Sequence, residues 1–282
     1  MTALFGQIAF VVWRESTEAI LVVGILQGWL AHRAGAQAAT AKYFLWTGVA
    51  AGLGGACLLA GVILFFESLL DGERADYFQI GMATLAALLI VQMVVWMHRQ
   101  GRGLKRDLER GAERAAGAGK WAGLFLLAAI AVMREGSETV VFLYGVVASA
   151  KQATLPGTLA AAVAGFALAG ASFGLIHVAA KRFPWTVFFR VTEILLLFLA
   201  QSLLMAALDR AIGLDLVSPL TGAVWDTSWL LDDTGRLGAL VANMTGYRAR
   251  PDLATILACA IFWTVALALL RSPPPRRTER YP

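Results

Sequence analysis

The chain has 282 residues, 59% of them hydrophobic and only 15% charged, with a formal net charge of +5. A soluble domain carries about 25% charge, so an ordinary cytosolic enzyme is excluded. So is a disordered chain, which would be poor in apolar residues. Two cysteines, Cys57 and Cys259, exclude a disulfide scaffold; both lie in apolar runs and are expected as buried small hydrophobes.

A helix needs about 20 mostly apolar residues to cross the hydrocarbon core of a bilayer. Seven windows qualify. The first, 4–31, lacks a basic leader and is too long for a signal-peptide core. The second and third cover 43–70 and 77–98, and the fourth 121–149. Pro156-Gly157 marks the start of the fifth, 155–180; Pro184 precedes the sixth, 185–210, and Pro251 the seventh, 253–271. The prolines at 273–275 stop the last helix, and the remainder, 272–282, reads as a disordered basic tail. Strand-period alternation is absent, which argues against a barrel. The expectation is an all-α integral membrane protein forming a single transport domain over 1–282.

Charge sorts by side. The segments 32–42, 99–120, 181–182 and 271–282 hold fifteen Lys and Arg against four Asp and Glu. The segments 71–76, 150–154 and 209–252 hold six against nine. The positive-inside rule makes the first set cytoplasmic. With seven spans this places the N-terminus outside and the C-terminus in the cytoplasm. The basic run from Arg99 to Arg114 is then a topology anchor rather than a nucleic-acid site, and the inner loop 99–120 reads as a solvated or interfacial helix. The outer loop, 211–252, is too long for a plain connector. It carries Trp225, Asp226, Trp229, Asp232, Asp233 and Tyr247. Two readings of it stay open: a lid or docking surface, and an interfacial aromatic belt.

Two clusters break the pattern. Arg14-Glu15-Ser16-Thr17-Glu18 lies inside the first span, and Arg134-Glu135-Gly136-Ser137-Glu138 in the middle of the fourth. Each charge near the bilayer centre costs at least about 2.5–3.5 kcal/mol on insertion scales, so the clusters must face the bundle interior or a wet cavity. Glu at i and i+3 sets two carboxylates on one helix face, and Arg14/Glu18 and Arg134/Glu138 are i,i+4 pairs. The clusters sit in similar sequence at an offset of 120 residues. The second and fifth spans both carry glycines four apart, Gly48/Gly52 and Gly170/Gly174. Repeat one (about 4–98) and repeat two (about 121–210) therefore read as a duplicated three-helix unit, with a seventh helix added. An odd number of spans inverts the second copy, a recurring transporter design with its polar site at the midplane. The first and fourth spans would cross antiparallel and place both Glu pairs on one pathway.

Glu15, Glu18, Glu135 and Glu138 are the candidate metal ligands, with Arg14 and Arg134 balancing their charge. Carboxylate oxygen suits hard cations such as Mg, Ca, Mn or iron, and no Cys or His accompanies the clusters. Met93 and Met97 share a helix face, which reads as packing. An inside-negative potential drives cations inward by roughly 2.3 kcal/mol per charge per 100 mV. Glu67, at the outer end of the second span, and Asp226, Asp232 and Asp233 of the outer loop are candidate entrance residues. Arg190 and Glu193 read as an i,i+3 pair or an inner exit, and Asp209-Arg210 as interfacial. Metalloprotease, nucleophile-elbow and phosphate-loop motifs are absent, so an enzyme is not expected.

The tandem Arg-Glu-x-x-Glu motifs, one in the first and one in the fourth of seven spans, resemble the oxidase-dependent iron permease family. That family includes the fungal high-affinity iron permeases and the bacterial Efe-type permeases. Arg134-Glu135-Gly136-Ser137-Glu138 fits the usual Arg-Glu-Gly-x-Glu form, while the first copy has Ser16 in place of the glycine. Trp225-Asp226 and Gly246-Tyr247 are similar as well. The resemblance implies iron import across the plasma or inner membrane, as Fe3+ or Fe2+, with the Glu residues passing the ion and no cofactor beyond it. It also implies a periplasmic or extracellular ferroxidase or iron-delivery protein as partner, and a multi-pass site in the lipid bilayer. Another cation on the same scaffold (Mn, Pb or a proton) is the alternative.

Overall fold

The computed structural model describes residues 2–33, 38–100, 110–113, 121–150, 154–179 and 185–272. Among them the protein is all-helical. The long helices are α1 (Thr2–Arg33), α2 (Ala38–Ser68), α3 (Glu73–Gln100), α4 (Ala122–Ala148), α5 (Leu155–Ala179), α6 (Trp185–Gly213) and α8 (Leu253–Arg271). A short helix, α7 (Arg236–Thr245), lies within the loop 211–252. Each apolar window of the sequence corresponds to one long helix. Five of them, α2, α3, α5, α6 and α8, are long and apolar enough to cross a membrane; α1 and α4 carry the two charge clusters at their middles. The basic tail beyond Ser272 and most of the inner loop 99–120 lie outside the described residues. Residues 110–113 form a single helical turn, and its Ala112 is buried in a cluster with the C-terminal half of α1 and the N-terminal halves of α2 and α4.

Four helices build the centre. Ile8, Val11 and Val12 of α1 pack with Ala86, Ile90 and Val94 of α3, Val141 and Phe142 of α4, and Leu196, Leu199 and Leu203 of α6. A second cluster joins Leu26 and Leu30 of α1 to Leu45 of α2 and to Leu124 and Ala128 of α4. Early residues of α1 thus meet late residues of α4, and late meet early, so the two helices cross antiparallel with their charge clusters opposite one another. The outer helices attach by close backbone approach. A Cβ on Gly48 would lie 2.5 Å from the Phe125 carbonyl oxygen, and one on Gly52 2.7 Å from that of Ala129. On the other side a Cβ on Gly165 would lie 2.5 Å from the Ala9 oxygen. Only glycine lets α2 seat on α4, and α5 on α1, at these points.

Gly170 and Gly174 do not do this work: a Cβ on either meets nothing within 4 Å. The expected match with Gly48/Gly52 fails because the contact face of α5 is a different one, at i, i+4 and i+8, that leaves Gly170 and Gly174 off it. Gly165, with the fully buried Ala161 and Ala169, forms it. Cys57 also departs from expectation. It is exposed rather than buried, alongside Leu53, Leu58 and Phe65 on the outer face of α2, because an apolar exterior costs nothing in lipid. Cys259 is half-buried and accepts a hydrogen bond from Gln201 Nε2 at 3.2 Å.

Helix α7 is held against the ends of α1 and α6. Gln7 and Ser202 both donate to the Asn243 carbonyl. Gly246 ends α7 in the left-handed region, φ 72°, where it lies against Met205 and Ser202. Tyr247 follows and pins the loop: its hydroxyl hydrogen-bonds the Thr227 hydroxyl at 2.6 Å and donates to the Leu231 carbonyl at 3.1 Å.

Candidate metal centre

Small hydroxyl residues in and beside the clusters bond back to their own helix. Thr17 donates to the Trp13 carbonyl (2.6 Å), Ser137 to that of Arg134 (2.8 Å) and Thr139 to that of Glu135 (2.7 Å). These three hydroxyls are thereby occupied, and the acids and arginines are left to face one another.

Three of the four acids converge. One carboxylate oxygen from each of Glu15, Glu135 and Glu138 lies within 4.8 Å of the other two. Glu15 and Glu135 are buried and Glu138 half-buried. One oxygen of each, Oε2, is buried without a hydrogen-bond partner. An ionised carboxylate only accepts, and a buried acceptor without a donor is costly. Three converging carboxyl groups, each with one such oxygen, form a donor set that a hard cation satisfies.

Glu18 stands beside this group rather than in it. Its Oε1 pairs with Arg14 Nη2 at 2.5 Å, the predicted i,i+4 contact, while Arg14 Nη1 reaches Glu15 Oε1 at 2.7 Å. The rest of the Arg14 fork is met by sulfur. Nη1 donates to Met93 Sδ at 2.5 Å and Nη2 to Met97 Sδ at 3.0 Å, both from α3. The i,i+4 methionine pair that the sequence suggested was packing is therefore the wall that holds the guanidinium. Its signal was present in the spacing, but a thioether is a weak acceptor and the pattern alone does not name its partner.

The second cluster is built alike but more openly. Arg134 Nε pairs with Glu138 Oε1 at 3.0 Å, and its guanidinium carbon lies 4.6 Å from the ring centre of Trp96 on α3. Arg134 is 42% exposed and Arg14 4%. Gly136 is required here: a Cβ would lie 2.6 Å from that of Ala56. Ser16 occupies the matching place on α1.

The entrance residues are placed as follows. Glu67, near the end of α2, accepts from Gln79 Nε2 at 3.3 Å. Asp226 pairs with Arg250 Nε at 2.9 Å and accepts from the amide and hydroxyl of Ser228. Together these hold its carboxyl down at about 2. Asp232 accepts from the amide and hydroxyl of Thr234, which lowers it as well. Asp233 accepts from the Ala249 amide at 3.2 Å. The three loop acids thus order their own loop. At the opposite end of the bundle Glu193 lies 3.4 Å from His98 Nδ1 rather than against Arg190. Asp209 pairs with Arg248 at 2.5 Å.

Among known proteins, residues 5–271 match the iron permease FTR1 family. The chain is 27% identical to the ferrous iron permease EfeU of Yersinia pestis over 270 residues, 94% of this chain and 92% of that protein. It is also 27% identical to the ferrous iron permease EfeU of Escherichia coli O6:H1, over 271 residues and 94% of each chain. The protein of that name from Shigella sonnei is 27% identical over 268 residues, 93% of each. No solved structure matches the chain.

Proposed function

The chain belongs to the iron permease FTR1 family, and on that premise we propose how its own residues carry the ion. It is a multi-pass iron permease of the bacterial inner membrane. The proposed conduction site is the ring of Glu15, Glu135 and Glu138. The observation that carries this reading is the convergence of their carboxyl groups from two crossing helices, each with one buried oxygen that has no hydrogen-bond partner.

At a separation of 4.8 Å two ionised carboxylates repel by about 3 kcal/mol at an effective dielectric constant of about 20. Arg14 and Arg134 offset part of this from the flanks. A cation between the carboxylates offsets the rest and satisfies the open lone pairs. Because the arginines stay tethered to Glu18 and Glu138, the iron ion meets a ring that is attractive but not closed. Such a site loads and releases. Glu18 serves as the arginine's anchor and as the next oxygen donor along α1.

The same reading includes seven membrane crossings with the N-terminus outside, supported by the charge bias of the loops. It includes two inverted repeats, supported by the exchange of partners in which α2 seats on α4 and α5 on α1. The membrane potential then drives import. The relatives are named for ferrous iron, which favours Fe2+ as the carried ion, handed over by a periplasmic iron-handling partner; a ferroxidase partner would present Fe3+ instead.

The test is radiolabelled iron uptake into proteoliposomes under an inside-negative potential, with Fe2+ and chelated Fe3+ offered separately. Glu15→Gln, Glu135→Gln and Glu138→Gln are each expected to reduce uptake to the level of empty liposomes, with Fe2+ the better substrate of the wild type. Glu18→Gln is expected to keep a measurable fraction. Wild-type uptake by Glu138→Gln would overturn the site.

A further inference from the structure

A second group of oxygens lies toward the end of the bundle that holds Glu67. Four helices contribute to it. Arg210, near the end of α6, donates Nη1 to Gln79 Oε1 of α3 and Nη2 to the Ala148 carbonyl of α4 at 3.1 Å. Its Nε is 3.7 Å from Asp76 Oδ1. Gln79 in turn donates to Glu67 of α2 at 3.3 Å. One guanidinium is thus surrounded by a carboxylate, an amide oxygen and a backbone carbonyl, with a second carboxylate one hydrogen bond away. These are hard donors of the kind that coordinate divalent cations.

An independent feature points into this group. Tyr144 is only 8% exposed, and its hydroxyl is buried without a completed hydrogen bond. Its ring is fixed edge-on against Phe78, with centroids 5.7 Å apart, and the hydroxyl lies on the side of Glu67. A buried tyrosine hydroxyl usually finds a partner; here it is aimed at an oxygen cluster and left open. Tyr144 follows Glu138 by six residues on α4, about 9 Å along the helix axis. The cluster therefore stands one step from the carboxylate ring on the same helix.

We infer that Glu67, Asp76, Gln79 and Tyr144 form a divalent-cation recruitment site at the outer mouth, occupied in the resting protein by Arg210 as a tethered cation. The inference rests on the permease reading and deepens it by naming the mouth. An arriving cation competes with the guanidinium for Asp76 and the Gln79 oxygen, and draws in Glu67 from beside them. Arg210 then swings to the exposed side, where it is already 30% open, and the ion is held until the midplane ring takes it. The tethered charge sets a threshold on entry: weakly attracted monovalent ions do not displace it.

Two measurements test this. The first is iron uptake as a function of concentration. Removing the competing charge in Arg210→Gln is expected to lower KM about three- to fivefold, while Arg210→Lys stays near wild type. Glu67→Gln and Tyr144→Phe are expected to raise KM by a similar factor with Vmax little changed. The second uses Mn2+ alone as the probe, its binding to detergent-solubilised protein read from loss of the free-ion EPR signal. Arg210→Gln should tighten one site, Glu67→Gln should remove that site, and Glu138→Gln should leave it. Unchanged KM and Mn2+ binding in both Arg210→Gln and Glu67→Gln, or shifts in the same direction, would sink the recruitment site. If the Glu138→Gln protein transports normally while the mouth variants behave as expected, the midplane assignment fails and the mouth stands.

Discussion

Gly52 of α2 and Gly165 of α5 face equivalent atoms in two halves of the molecule. A Cβ on Gly52 would meet the Ala129 oxygen, Val132 Cβ and the Met133 nitrogen; one on Gly165 would meet the Ala9 oxygen, Val12 Cβ and the Trp13 nitrogen. Each residue of the second set precedes its counterpart by the 120 residues that separate the two charge clusters. The 120-residue offset thus recurs in packing as well as in sequence. α2 seats on α4 and α5 on α1, which brings the two clusters into one core.

This relationship predicts a graded glycine series. The neighbours of Gly52 and Gly165 are backbone atoms at 2.7 and 2.5 Å, which cannot step aside. Gly52→Ala and Gly165→Ala should each destabilise the protein by about 1–3 kcal/mol. Gly170→Ala, with nothing within 4 Å, should be neutral or stabilising by up to about 1 kcal/mol through helix propensity. Thermal unfolding in detergent checks this; equal losses at all three positions would contradict the packing register.

The two arginines should differ in consequence. Arg14 is 4% exposed and bridges two acids, so Arg14→Leu strands buried carboxylates and should cost about 3–5 kcal/mol. Arg14→Lys should recover little, because a point charge cannot span Glu15, Glu18 and two sulfurs as a fork does. Arg134 is 42% exposed, and Arg134→Leu should lower iron affinity while leaving most of the stability. Melting and uptake measured on the same preparations separate the two effects.

The outer loop should resist acid. The Ser228 hydroxyl and amide and the Arg250 guanidinium hold the Asp226 carboxyl at about 2, below its ordinary 3.8. A depressed carboxyl contributes stability above its unfolded value and loses it as pH falls through the folded one. The fluorescence of Trp225 and Trp229 should therefore stay flat from neutral pH to about 4 and change only as the pH falls toward 2. Asp226→Asn should show the altered signal already at neutral pH. A transition centred near pH 6 in the wild type would contradict the pairing.

Orientation can be read chemically. In a background lacking Cys57 and Cys259, a cysteine at Ser228 should react with a membrane-impermeant maleimide added to intact cells. One at Ser272 should react only after permeabilisation. The reverse pattern would invert the topology.

Much of this protein was legible one helix at a time. Apolar windows of about 20 residues located the seven long helices to within a few residues. The 3.6-residue period set the pairs Arg14–Glu18 and Arg134–Glu138, because contacts at i and i+4 need only the helix itself. The expense of charge in hydrocarbon marked both clusters as the candidate site. The tertiary structure decided everything that depends on how one helix is rotated and slid against another. It brought Glu15 together with Glu135 and Glu138 and left Glu18 on Arg14. It chose Gly165 over Gly170 and Gly174, turned Met93 and Met97 into the wall behind a guanidinium, and split Asp209 from Arg210, sending one to Arg248 and the other to Asp76. Spacing along one chain fixes which residues share a face. Which faces meet, and at what depth, is set by close packing between helices, and no single helix encodes it.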